Sequence, residues 1–252
     1  MTEMFPMLIL FFFALTGVTV GSFINVIIYR LPRIIQGEAL SLSFPASHCP
    51  QCKTPIKFYH LIPVIGWLML RGRCAHCSIR VSARYPLIEL LTGGLFALAI
   101  LRFGMTPLGI GVVLALIFLI PLFFIDLDTF LLPDRLTLSF LILASGASLS
   151  GYGMVSAQES VLAAAAGFGI PWLLDRLHHW RYGRNGMGMG DMKLFAALGA
   201  WTGLEGVFQI MLIASLIALV SALLLLRHKR DVAFPFGPYM VIAALTWIFC
   251  FS

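Results

Sequence analysis

Apolar runs recur along this chain at close to the length that crosses a membrane, and this constrains its fold more than anything else in the sequence. A helix spanning a hydrocarbon core of ~30 Å needs ~20 mostly apolar residues. Runs of about that kind fall at 5–28, 86–102, 107–126, 134–151, 156–176, 191–203, 206–226 and 234–251. With 60% hydrophobic and 11% charged residues, the 252-residue chain lies outside the soluble range. The expected fold is therefore an all-α polytopic membrane protein of about eight transmembrane helices. The run at 191–203 is short for a crossing, and predicts a helix that is tilted, extended by its flanks or buried among the others. The first run follows Glu3 with no Lys or Arg ahead of it, which predicts a retained helix and not a cleaved signal peptide.

The basic residues orient these spans. With the N-terminus outside and the chain alternating sides, every Lys and Arg except Arg102 falls on one face, including Arg227, Lys229 and Arg230 near the end. The positive-inside rule makes that face cytoplasmic. The net charge of +6 is then a matter of topology and calls for no nucleic acid, although anionic lipid could meet that face. The domain reading is a first helix at 1–28, a cytoplasmic loop at 29–85, and a membrane core of about seven helices at 86–252.

The loop at 29–85 holds four of the five cysteines, as CPQC at 49–52 and CAHC at 74–77. Two CxxC knuckles about twenty residues apart let Cys49, Cys52, Cys74 and Cys77 converge on one Zn²⁺. Four thiolates fill a tetrahedron and leave no position for water, so the zinc is read as structural, and ligation would supply the folding energy of a loop with little apolar content. His48 and His76 sit beside the cysteines as possible substitutes, and Cys250 reads as a buried apolar residue.

Acids near a membrane are costly and tend to be kept for function. FIDLDTFLLPD at 124–134 carries Asp126, Asp128 and Asp134, and GMGMGD at 186–191 carries Asp191. Asp191 and Asp134 could serve as helix-start residues, and Asp128 is most simply solvated. Asp126 follows IPLFFI with no helix start to cap. The sharper reading pairs Asp126 with Asp191. Two close carboxylates share one proton, the charged one drawing a proton from water while the neutral one hydrogen-bonds the substrate carbonyl. Gly188 and Gly190 would let a substrate backbone pass close to Asp191. Asn25 and Glu89 read mainly as interhelical hydrogen-bonding or snorkelling groups, and His178, His179 and Trp180 as an interfacial belt.

Taken together, Gly188-Met189-Gly190-Asp191, DLDTFLLPD, the two CxxC pairs, GSFINVIIYRLP at 21–32 and RYPLIELLTG at 84–93 resemble the type IV prepilin leader peptidases, GxGD membrane aspartic proteases. The resemblance covers nearly the whole chain. It implies cleavage of basic leaders from prepilins and type II secretion pseudopilins after a glycine, on the cytoplasmic side of the bacterial inner membrane. Asp126 and Asp191 would be the catalytic pair, with Asp128 and Asp134 non-catalytic. The cysteines mark the branch that also methylates the new amino terminus with S-adenosylmethionine. No GxGxxG loop is present for that donor, so its residues are unassigned. The competing readings are an ion-coupled transporter with a regulatory zinc loop, which would place its acids near mid-membrane, and a non-catalytic factor that docks pilins.

Overall fold

The computed structural model describes residues 4–184, 186–225 and 234–251. Glu3, Arg227, Lys229 and Arg230, used in reading the topology, lie outside them. Among the described residues there are helices and two isolated β-bridges but no strand. The chain forms two compact units, Met1–Gly104 and Met105–Ser252.

In the first unit, α1 (Met4–Ile35) and α3 (Arg84–Phe103) pack on each other, and a 3-10 turn at Phe58–Leu61 and the short α2 (Ile65–Met69) lie in the loop between them. Helix α1 runs past the apolar stretch that announced it, through Arg30 and Pro32 to Ile35. Arg30 explains much of the extension. It is buried, and its guanidinium donates to the carbonyls of Ser41 at 2.9 Å and Pro45 at 2.7 Å, so the end of the helix is tied to the loop that follows. The α1–α3 contact rests on small residues. A Cβ on Gly17 would stand 2.8 Å from the Gly93 Cα, and one on Gly21 would stand 2.8 Å from the Glu89 Cα. Gly17 and Gly21 form the GxxxG spacing that lets helix backbones approach closely in lipid.

The second unit contains α4 (Pro107–Thr129), α5 (Asp134–Leu149), α6 (Ala157–Tyr182), α7 (Met189–Leu225) and α8 (Gly237–Cys250). Helix α7 is two helices joined at Gly203, whose φ of 80° and ψ of −176° break the helical path. The halves match the separate runs expected at 191–203 and 206–226. Only glycine accepts that backbone conformation without strain. Gly167 of α6 and Gly199 of α7 bring these two backbones into contact, because a Cβ on Gly167 would stand 2.5 Å from the Phe195 carbonyl oxygen. Helix α4 carries the most apolar sequence of the five and is lined with buried residues on much of its length.

Among the described residues, five helical segments are long and apolar enough to cross a membrane: residues 7–35, 84–103, 107–129, 157–182 and 189–224, the last divided at Gly203. Helix α8 is apolar but shorter, and α5 has 16 residues.

The close approach of α1 and α3 is open to a direct test. Gly17→Val should lower stability by about 1–3 kcal/mol through overpacking, read as a fall in the thermal unfolding midpoint in detergent. Gly94→Ala, where a Cβ meets nothing within 4 Å, should leave the midpoint unchanged or slightly raised.

Candidate functional site

Two sites emerge, one in each unit. In the first unit, CPQC and CAHC fold into two matching knuckles. The Cys49 N–H donates to the Thr54 carbonyl and Lys53 N–H to Cys49; in the second copy Cys74 N–H donates to Ile79 and Ser78 N–H to Cys74. Lys53 and Ser78, each just after the second cysteine of its knuckle, take the left-handed conformation at φ 57° and 58°. This turn aims both thiols of a knuckle at one point.

The four sulfur atoms all lie within 4.8 Å of one another, with Cys49–Cys77 at 3.7 Å and Cys52–Cys74 at 3.9 Å. A tetrahedral zinc with bonds of ~2.3 Å sets its sulfurs about 3.8 Å apart. None of the four is in a disulfide. Hydrogen bonds from the side chain and backbone of Thr54 bring the Cys52 thiol down to about 6. Backbone N–H groups of Cys77 and His76 likewise lower Cys74. The Ile79 N–H lowers Cys77, but desolvation and hydrogen bonds with the other three cysteines outweigh it and push that thiol up to about 11; it is the convergence of the four sulfurs that suits a metal. His48 and His76 are not in the cluster; the His48 Nδ1 instead faces the Ala46 carbonyl at 3.0 Å. Cys250, expected to be buried, is exposed at the end of α8.

Two other polar groups of this unit take the structural part expected of them. Asn25 donates from α1 to the Tyr85 carbonyl of α3 at 3.1 Å. Glu89 accepts the Val64 N–H at 2.6 Å, holding the start of α2 against α3.

In the second unit, the last turns of α4 and the first turn of α7 bring Asp126 and Asp191 together, within range of a direct electrostatic interaction. Asp126 is only 4% exposed, and its Oδ2 accepts the Gly237 N–H at 2.8 Å. A Cβ on Gly237 would stand 2.8 Å from that oxygen, so the first residue of α8 must be glycine for its amide to reach the carboxylate. Gly188 and Gly190 both stand where a side chain would crowd neighbouring parts of the chain. Their clearances are taken up by the chain itself: a Cβ on Gly190 would meet the Leu132 Cβ at 2.8 Å, and one on Gly188 the Asp191 Oδ2 at 3.0 Å. The glycine loop thereby lies against the segment that follows α4.

The remaining acids of these motifs are structural in placement. Asp134 opens α5 and bridges to Lys193 Nζ at 2.7 Å, linking the starts of α5 and α7. Asp128 is exposed. Asp175, which sequence reasoning passed over, accepts the N–H groups of Gly186 at 2.6 Å and Met187 at 3.0 Å. It thus pins the glycine loop to α6. Its signal was an acid interrupting the apolar PWLLDRL of α6. Trp180 is highly exposed, and the His178 Nδ1 lies 3.0 Å from the Arg184 carbonyl oxygen.

The fold and sites define a polytopic helical membrane protein with two electrostatically interacting aspartates in one unit and a four-thiol metal-type site in the other. Residues 15–103 match the family model described as Bacterial Peptidase A24 N-terminal domain, and residues 113–223 match that of the Type IV leader peptidase family. The chain belongs to the type IV leader peptidase family. It is 40% identical over 254 residues to a prepilin leader peptidase/N-methyltransferase of Neisseria gonorrhoeae, covering 93% of this chain and 87% of that protein. Proteins of the same name from Legionella pneumophila and Aeromonas hydrophila are each 40% identical, over 93% and 92% of this chain and 89% of each relative. No solved structure gives a significant match.

The thiol geometry makes a metal-content prediction. Purified protein should carry about one zinc per chain, measured by elemental analysis. Serine at any one of Cys49, Cys52, Cys74 or Cys77 should abolish stable retention, whereas Cys250→Ser should keep it.

Proposed function

We propose that this protein is an aspartic endopeptidase that removes the leader from type IV prepilins and type II secretion pseudopilins, and then methylates the new amino terminus. The observation that carries the peptidase reading is that Asp126, near the end of one apolar helix, and Asp191, at the start of another, lie within electrostatic range of each other.

In this reading one carboxylate is charged and takes a proton from water, and the resulting hydroxide attacks the carbonyl carbon of the scissile peptide. The other carboxyl is protonated and donates to the carbonyl oxygen as it gains charge. The tetrahedral intermediate then collapses, the C–N bond breaks, and the leaving amine takes up a proton. The Gly237 N–H holds Asp126 in place, and Asp175 and the contact with Leu132 hold the loop that presents Asp191. Family membership and the names of the relatives support this reading over a transporter. Gathering of the acids at helix ends also argues against mid-membrane ion sites.

Cys49, Cys52, Cys74 and Cys77 would hold a structural Zn²⁺, since four thiols at these spacings saturate it and leave no place for a reacting group. S-adenosylmethionine would supply the methyl group. Asn25 and Glu89 are already engaged with backbone groups, and the donor-binding residues remain unassigned. The basic loops argue for a bacterial inner-membrane protein with its N-terminus outside and both the zinc loop and the aspartates toward the cytoplasm, where a leader would meet the bilayer.

Asp126→Asn and Asp191→Asn should each fold, retain zinc and lose about 10²–10⁴-fold or more of kcat on a leader-bearing substrate in bilayer. Cleavage at the wild-type rate by both variants would overturn the peptidase assignment. Gly237→Ala should lower kcat with little change in KM, because its methyl displaces Asp126 without touching the substrate. Mass measurement of the mature amino terminus should find one added methyl when donor is supplied, and an unmodified product would remove the second activity.

A further inference from the structure

Between Glu38 and Glu89 the chain carries Lys53, Lys57, Arg71, Arg73, Arg80 and Arg84 and not one Asp or Glu. Even a fully charged thiolate–zinc centre would offset only about two of those cations. Three of them gather. Arg71, Arg73 and Arg80 line a cavity of about 570 Å³ with Trp67 as its aromatic wall. Arg73 and Arg80 are directly opposed across an antiparallel bridge, where like charges repel each other. Among the described residues none of the three makes an ion pair.

The wall of this cavity is fixed in place. The Trp67 Nε1–H donates to the Val81 carbonyl at 3.1 Å. Gly72, at φ +66°, lies so close to the indole that a Cβ would stand 2.7 Å from it. The arginines are thus carried on a tight, ordered turn.

Immediately before them in sequence, residues 58–70 expose large apolar side chains outside the long helices of this unit. Phe58 is 82% exposed, Ile65 54%, Leu68 59% and Met69 61%, with Leu61 and Ile62 also open. Exposed apolar side chains grouped in this way mark an interaction surface. Apolar residues beside an aromatic and a set of cations follow the depth profile of a leaflet: acyl chains, then the interface, then the phosphates.

We propose that residues 58–73 form a lipid-docking element. The segment around α2 lies in the surface of the leaflet, and Arg71, Arg73 and Arg80 bind the phosphate of an anionic phospholipid headgroup. Charge selects the occupant, since an unopposed arginine set favours anionic over zwitterionic lipid. The element anchors the metal loop to the membrane independently of the spanning helices, and it does not rest on the catalytic reading.

The test uses the full-length protein in nanodiscs of phosphatidylglycerol or phosphatidylcholine. Hydrogen exchange of residues 58–73 and retained phospholipid by native mass spectrometry are the readouts. Exchange should be slower in phosphatidylglycerol, and that lipid should be retained with a preference on the order of a hundredfold. The triple variant R71Q/R73Q/R80Q should lose both effects while keeping its zinc. If that variant loses zinc, L68N/M69N provides the second test and should raise exchange in both lipids. Equal retention of the two lipids by wild type would overturn the proposal. So would displacement of phosphatidylglycerol by inorganic phosphate at matched concentration, or unchanged exchange in the zinc-retaining variant, which would point to cover by protein.

Discussion

A carboxylate at the end of an apolar helix has to be solvated by the protein, and Asp126 sets this requirement for the whole second unit. It is nearly inaccessible, and the hydrogen bond found for it comes from the backbone of Gly237, 111 residues away. Burying a charge without partners is far more expensive than burying a neutral polar group. Helix α8 must therefore begin where its first amide reaches Asp126. The glycine loop, in turn, must fold tightly enough against Leu132 to bring Asp191 alongside. Under the proposed chemistry the second carboxyl completes the arrangement, because one proton held between two acids lowers the charge that the apolar surroundings must accommodate.

Small residues bring helix backbones together in both units, and the loop of the first unit is ordered by a further means. In the second, Gly167 does this against Phe195, and packing takes the place of a hydrophobic driving force that is absent within lipid. The segment between α1 and α3 has little apolar interior, since most of its large apolar side chains point outward. Its order comes from the paired knuckles, from Arg30 reaching back to two carbonyls, and from Glu89 capping the approach to α2. Each of these ties a loop backbone to a side chain from a helix or to a metal-type centre.

Much of this was legible in the sequence. The helices follow from apolar length and from glycine and proline breaks, and even the separation of the two halves of α7 at Gly203 was visible as two runs. The four cysteines could be grouped from spacing alone, because CxxC knuckles impose their own geometry. The pairing of Asp126 with Asp191 was suggested by their placement at one membrane face together with the GxGD resemblance, and the two do lie within electrostatic range. What stayed hidden depends on tertiary contact. Nothing local marks Gly237 as a donor to Asp126, and Asp175 looked like one more acid on a helix until its bonds to Gly186 and Met187 were seen. The extension of α1 through Pro32 also ran against the composition, for Arg30 is stabilised by carbonyls 11 and 15 residues further on. The GxxxG spacing at Gly17 and Gly21 was present in the sequence and could have announced the α1–α3 contact.

The central claim is that Asp126 and Asp191 act as one unit with a single shared proton. The pH profile of kcat/KM for leader cleavage by the purified protein in bilayer tests it most directly. A coupled pair needs one member charged and the other neutral, so the account predicts a bell with an acid and an alkaline limb, both belonging to the pair. A flat profile, or a single limb across the range in which the protein stays folded, would contradict it.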